Sequence, residues 1–520
     1  MTDYYVKNAG DDAKSGLDDT NAWKTISKVN SSSFSGDDNI YFNKGDEWRE
    51  QLTAPSSGTS GHLITFGAYG SGATPIINGA DVMSTWTSYS GNTWQKTGVT
   101  TEPYVVWIDG TKLTKGSDKD SLNDHEWIWD TNVLYLRDDT GDPDVTGVSI
   151  EASQRTYCIE IGANINYTKY DGLDIKHSNE RGIIATTGGS GVGHEFHNLT
   201  IHETGRTGIF IQQNNCLVKD STISYTGRSG TTGWGEGIYF HTSDVDSGEI
   251  DNCIISYCLA ISGKGICGSS GADGVHIHNC VVHHTDGSGM KLYEGSDNWI
   301  FENNEVYNCG NGTGESAGIN LRAGSHANQP SNNIIRYNKI HDNVWAGICL
   351  FYADSNQVYY NILYGNNTNS DTDMGQLNIK DADNNEIYNN TIYNGGTYGI
   401  RLEGSGANDC SSNLIKNNIS QGNTSQDLYV LGTHTGLVLD YNCYYRTSGN
   451  IIYYDDTNYT VATFSTYQTA KSQDANSITQ DPLFINPTQG NFHLHPNSPC
   501  IDAGADVGLT EDYDGNPVPG

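Results

Sequence analysis

The chain has 520 residues, 61 glycines against 11 prolines, and a net charge of −34 from 62 acidic and 28 basic side chains. That length supports a large core, and so little proline argues against a disordered, proline-rich segment. The charge makes general binding to nucleic acid or an anionic membrane surface unfavourable, and no apolar run is long enough to span a bilayer.

Residues 1–60 read as an opening cap with a first strand at Tyr4-Tyr5-Val6. Ala22, Trp23, Ile26 and Val29 recur at helical spacing after N-cap candidates Asp19, Thr20 and Asn21, which predicts a short helix laid over a raw sheet edge. The start, Met1 to Tyr5, has no basic segment followed by an apolar core. The expectation is an extracellular protein whose leader has been removed, or one carried on a phage particle. Strands resume at Asn39–Phe42, Ile64–Phe66 and Pro75–Ile77. From about 80 to 150 the pattern breaks: Trp86, Trp94, Trp107, Trp127 and Trp129 crowd around the hairpin-like Glu126–Asp130 and Val133–Arg137. This predicts an inserted antiparallel β module whose tryptophans form its core, with a sugar-stacking platform as the alternative.

Between Gly182 and Glu403 one pattern occurs nine times, with starts 26, 29, 28, 24, 29, 29, 29 and 23 residues apart. It is a glycine followed by alternating apolar residues, as in Gly318-Ile319-Asn320-Leu321-Arg322. About ten residues later comes a second strand with Asn in a fixed slot: Asn304, Asn338, Asn361 and Asn390, preceded by Ser221, Cys253 and Cys280. Asn tolerates left-handed backbone, and stacked amides can hydrogen-bond from rung to rung. Such a period predicts an all-β fold: a single-stranded right-handed parallel β-helix solenoid with an N-terminal capping helix and the inserted β module. Solenoid rungs are expected over 61–430 and terminal rungs with a cap over 431–520, including a helix from Val461 to Lys471. The eleven cysteines, without a Cys-x-x-Cys pair, read as small apolar stack residues rather than a disulfide framework.

Three segments carry a resemblance: Tyr5-Val6 with Gly16 and Trp23-Lys24-Thr25-Ile26; Leu134-Tyr135-Leu136-Arg137; and the tail Asp481-Pro482-Leu483-Phe484 with Ser498 to Gly504. They resemble bacterial right-handed parallel β-helix proteins of the carbohydrate-active type, which include alginate, chondroitin and pectate lyases, glycosidases, epimerases and phage tailspikes. The resemblance implies a polysaccharide partner held along an outward strand face. The Asp-Pro-His-Asp motif of mannuronan epimerases and the Gly-His-Gly of polygalacturonases are absent.

The third and fifth positions of the repeated strand should face outward. Four of these eighteen are Lys291, Arg322, Lys380 and Arg401, and only Glu403 is acidic, which points to a groove for an anionic chain. Lys291, Tyr293 and Arg322 with His241 resemble the Lys-plus-Arg arrangement of the alginate and chondroitin lyase family. That resemblance implies β-elimination, with Arg322 neutralising a uronate, Lys291 as base and Tyr293 as acid. Tyr239, Asn320, Phe351, Lys380, Arg401 and Glu403 would bind neighbouring sugars. Hydrolysis is the alternative, and needs paired carboxylates; Glu236, Glu294, Glu315 and Glu403 lie at or beside the same strand. Calcium is the candidate ion, with Asp371, Asp373, Asp381 and Asp383 as oxygen donors, and no other cofactor is expected. A non-catalytic adhesin is the third reading. A monomer is expected, or a trimer for a tailspike-like adhesin.

Overall fold

The computed structural model describes residues 1–230, 235–312, 316–405 and 409–518. The chain is an all-β parallel solenoid with few helices, divided into two compact units: Met1–Tyr239 with Cys258–Gly263, and Phe240–Tyr257 with Lys264–Gly520. No helix among the described residues is long and apolar enough to cross a membrane.

In the first unit, Asp3–Val6, Asn39–Asn43, Ile64–Tyr69, Thr168–Asp171, Glu195–His197 and Cys216–Lys219 stack in parallel. Exact register places like on like, so Phe66, Tyr170 and Phe196 form a column of rings 5.2 and 5.7 Å apart. The cap closes the open edge as expected, but its helix starts later. It spans Ile26–Asn30, and Thr25 is the N-cap, its hydroxyl accepting from Lys28 N at 3.0 Å. Asp18, not Asp19 to Asn21, caps only a short 3-10 turn. Asp12 is the physical reason: its carboxylate accepts from Lys24 N, Thr25 N and the Thr25 hydroxyl, fixing where the helix begins.

The inserted module is antiparallel, with Glu126–Asp130 on Val133–Arg137 and that strand on Thr93–Thr97, except that Thr114–Lys115 joins Glu126–Asp130 in parallel. Trp86 and Trp127 are buried in its core, and Trp94 and Trp129 pack against them. Trp107 stacks on His177 at 3.9 Å. These tryptophans are core, the first of the two readings.

The second unit repeats three parallel stacks, and buried amide ladders run along it. Asn304, Asn338, Asn361, Asn390, Asn418 and Asn442 each pass an Nδ2 hydrogen bond to the next Oδ1, at 2.9–3.1 Å. Asn333, Asn356, Asn385 and Asn413 form a second ladder. A third runs from Asn343 through Asn366, Gln376 and Asn423 and ends on Asp427. The left-handed residue is the one before each amide of the first ladder: Asn303, Tyr337, Tyr360, Asn389, Asn417 and Tyr441 have φ of 52–59°. Ladder Asn is therefore selected for its amide, not for its backbone freedom. The repeat glycine is selected by close approach: a Cβ on Gly318 would lie 2.8 Å from Gly347 O.

Antiparallel Thr457–Tyr459 ends one stack against Ile452–Tyr454. The predicted C-terminal helix is present as a 3-10 turn Val461–Thr463 running into Phe464–Lys471, with Phe464 and Tyr467 buried. The tail then folds back over the rungs, Phe492 lying on Tyr364 and Tyr393.

Candidate functional site

The repeated strands of the second unit place two files side by side. Register aligns Cys267, Lys291, Asn320, Cys349, Asn378, Arg401, Tyr429 and Tyr453 in one, and Arg322, Phe351, Lys380 and Glu403 in the other. Both point away from the core, as period two requires. The first file is nonetheless not exposed: Asn320, Cys349, Asn378 and Arg401 are 1–3% accessible. A wall covers part of it, where Met374 and Trp345 pack with Ala317, Ala346, Cys349 and Phe351 of the strands themselves. Met374 is held by its carbonyl, which accepts from Thr397 Oγ1 at 2.5 Å and Asn367 Nδ2 at 3.1 Å. The files thus form the floor of a groove, with the second file at its open side.

At one end of the floor, the charges are paired. Arg401 Nη2 lies 2.7 Å from Glu403 Oε2 and 3.5 Å from Asp373 Oδ1 on the wall, and Lys380 Nζ lies 3.2 Å from the same Glu403 oxygen. Arg401 also rests over Tyr429, at 5.6 Å. Burial alone would raise the Glu403 carboxyl, but Arg401 and Lys380 outweigh it and hold the group below the usual glutamate range. Both cations meet Oε2, and Oε1 has no hydrogen-bond partner among the described residues. Arg401 and Lys380 are therefore not an open row of cations.

Four rungs away the balance is different. Burial first, then Lys264 and Arg322, push the Lys291 ammonium down to about 8. It sits 4.4 Å from the Tyr293 ring, and buried Lys264 lies 5.6 Å from the same ring. Among the described residues no carboxylate stands within ion-pair distance of Lys291. Lys291 and Tyr293 thus come together, while Arg322, on the next rung, lies over Phe351 at 4.5 Å and reaches Lys291 through its charge. Lys264 was not foreseen. Its signal is a lysine in a slot before the repeat glycine that Ser288, Ala317 and Ala346 fill with small side chains.

Asn320 and Phe351 lie in the two files, and the remaining candidates fall elsewhere. His241 Nε2 meets Ser270 Oγ at 3.3 Å, and Asn320 donates to Ser288 Oγ at 3.2 Å. Tyr239 is buried in the first unit, edge-on to Phe210 at 5.2 Å. Glu236, in the same unit, is 1% accessible and accepts from Thr207 Oγ1 and Gly235 N, as a turn carboxylate does. Glu294 accepts from Gly324 N at 3.0 Å. Glu315 lies outside the described residues. Of the turn aspartates, Asp381 accepts from Ser405 N and Oγ at 2.7 and 2.6 Å, Asp383 from Ser411 N, and Asp371 from Asp373 N. These bonds tie turns together, and Asp373 alone of the four reaches the groove cations.

The family model of the right handed beta helix region matches residues 141–363 and 315–467, more than half of the chain, and the protein belongs to that family. Among individual proteins, it is 23% identical over 417 residues to the lacto-N-biosidase of Bifidobacterium longum subsp. longum, covering 69% of this chain. The chain spans about a quarter of that relative's length, 26%. Two solved structures share the fold. One is a complex of XylC with xylose, at TM-score 0.63 and 13% identity over 100% of this chain and 97% of that one. The other is described as a glycoside hydrolase, at TM-score 0.52 and 9% identity over 76% of this chain and 95% of that one.

Proposed function

We propose that the protein is a glycan-cleaving glycoside hydrolase, with Glu403 as nucleophile and Asp373 as acid and base. The observation that carries this reading is the shared guanidinium of Arg401. Two carboxylates contact one nitrogen at 2.7 and 3.5 Å, so their contacting oxygens lie no more than about 6 Å apart. That is below the ~6.5 Å at which inverting pairs begin and near the ~5–5.5 Å of retaining pairs. Glu403, kept ionised by two cations and with Oε1 unengaged, suits attack on an anomeric carbon. Asp373, its side chain 76% exposed on the wall, suits proton transfer with the leaving oxygen and then with water. The relatives' names support hydrolysis of a glycosidic bond. The pairing of Lys380 and Arg401 with Glu403 removes two of the four cations that had placed elimination first.

The test is turnover on a panel of neutral and acidic oligosaccharides, with products followed by proton NMR. A product first released with the substrate's anomeric configuration, and lost in Glu403→Gln, supports the pair; inversion, or full activity in that variant, refutes it. A second reading rests on Lys291, whose amine near 8 and neighbours Arg322 and Tyr293 suit β-elimination from a uronate. Ultraviolet absorbance of an unsaturated product, abolished by Lys291→Ala, would favour it.

A further inference from the structure

We propose that Cys443 and Cys500 are a disulfide-forming pair that ties the C-terminal tail to the strand stack. Cys443 opens Cys443–Tyr445 and pairs in register with Ile419, an outward position, while its neighbour Tyr444 points into the core. Cys443 is only 3% accessible because the tail covers it. Its backbone bridges to Ile478, and its thiol donates to Gln480 O at 3.3 Å. The Cys443 and Cys500 thiols lie near enough to shift one another's titration, and both line a cavity of about 450 Å³ between the tail and the rungs.

The approach is fixed from both sides. Asn417 exchanges two hydrogen bonds with Ala505, at 2.8 and 2.9 Å, just past Cys500, and Cys500 N donates to Ser498 Oγ at 3.2 Å. Of the eleven cysteines, ten are buried and Cys500 alone is partly accessible, so an oxidant meets that thiol first. The neighbouring Cys443 side chain lowers the Cys500 thiol, which favours its thiolate as the attacking group. A small disulfide such as oxidised glutathione supplies the oxidising equivalent. Cys500 thiolate attacks one glutathione sulfur and expels the other glutathione as a thiolate. The Cys443 sulfur, its proton passed to solvent, then attacks Cys500 Sγ and expels the second glutathione. One disulfide is reduced to two thiols while two protein thiols become one disulfide. The bond closes the segment from residue 443 to 500 into a loop and so restricts the unfolded chain.

The full chain is incubated with oxidised glutathione, alkylated in denaturant and digested without reductant. The expected result is a crosslinked Cys443–Cys500 peptide and nine alkylated cysteines instead of eleven. Melting temperature should rise by several degrees on oxidation, revert with dithiothreitol and stay unmoved in Cys500→Ser, which leaves the rung residue in place. Eleven alkylated cysteines, glutathione retained on Cys500 without closure, or a crosslink elsewhere such as Cys253–Cys280 would each overturn the pairing.

Discussion

Arg401 is 2% accessible, yet charged, and it is tolerated because two carboxylates share it. The two should respond differently to removal. Glu403→Gln is expected to lower turnover about 10³-fold or more and to cost about 3 kcal/mol of stability, because it strips the nearest charge from a buried guanidinium. Asp373→Asn, at an exposed wall position, is expected to lower turnover about 10²-fold with an unchanged melting temperature. Kinetics and thermal melts on the two variants separate a chemical role from a packing role. Asp427 offers a second test. Fully buried at the end of an amide ladder, with Oδ2 unsatisfied, its carboxyl is pushed by burial up to about 7. The folded state therefore holds this proton where the unfolded chain, near 3.8, has lost it. The contribution is full below pH 4 and is lost as pH rises to about 7. Asp427→Asn removes that dependence, so its stability relative to the natural chain should rise across this window by up to about 4 kcal/mol. Paired denaturant melts at pH 4 and 8 measure it.

The amide ladders hold the rungs at a common spacing and thereby set the register of the groove floor. Asn361, fully buried, accepts from Asn338 N and Nδ2 and donates to Asn390 Oδ1. Asn361→Ala would leave the buried Asn338 N without its acceptor, while Asn338 Nδ2 keeps Phe301 O and Arg336 O, and is expected to cost about 2 kcal/mol in urea denaturation. An exposed turn substitution such as Asn497→Ala should cost less than ~1 kcal/mol. This ladder was legible because one residue type recurs in one slot of one strand. The third ladder was not: Asn343, Asn366, Gln376 and Asn423 change residue type and spacing, and only the folded corner aligns them. The groove wall was hidden for the same reason. Lys291, Arg322, Lys380 and Arg401 could be placed on the outward face by period two. Nothing in the strand pattern says that Met374 and Trp345 cover part of that face, or that Asp373 reaches across to Arg401. Outward is a property of the strand, whereas exposed is a property of the loops around it.

Solenoid architecture follows from periodicity alone, since each rung buries its apolar face only against its neighbours. Specificity does not, because the net charge of −34 belongs to the whole surface and the groove has its own balance. A surface so acidic repels polyanions, and that repulsion is screened by salt. For a neutral oligosaccharide the account predicts a KM that stays constant within about two-fold between low and physiological ionic strength; a steep salt dependence would indicate a charged substrate. The most direct test of the central claim is cleavage in ¹⁸O-labelled water, followed by mass spectrometry of the products. Hydrolysis at Glu403 predicts one ¹⁸O at each new reducing end, absent with Glu403→Gln. Products that carry no label and are lighter by one water would mean elimination, and would contradict the assignment.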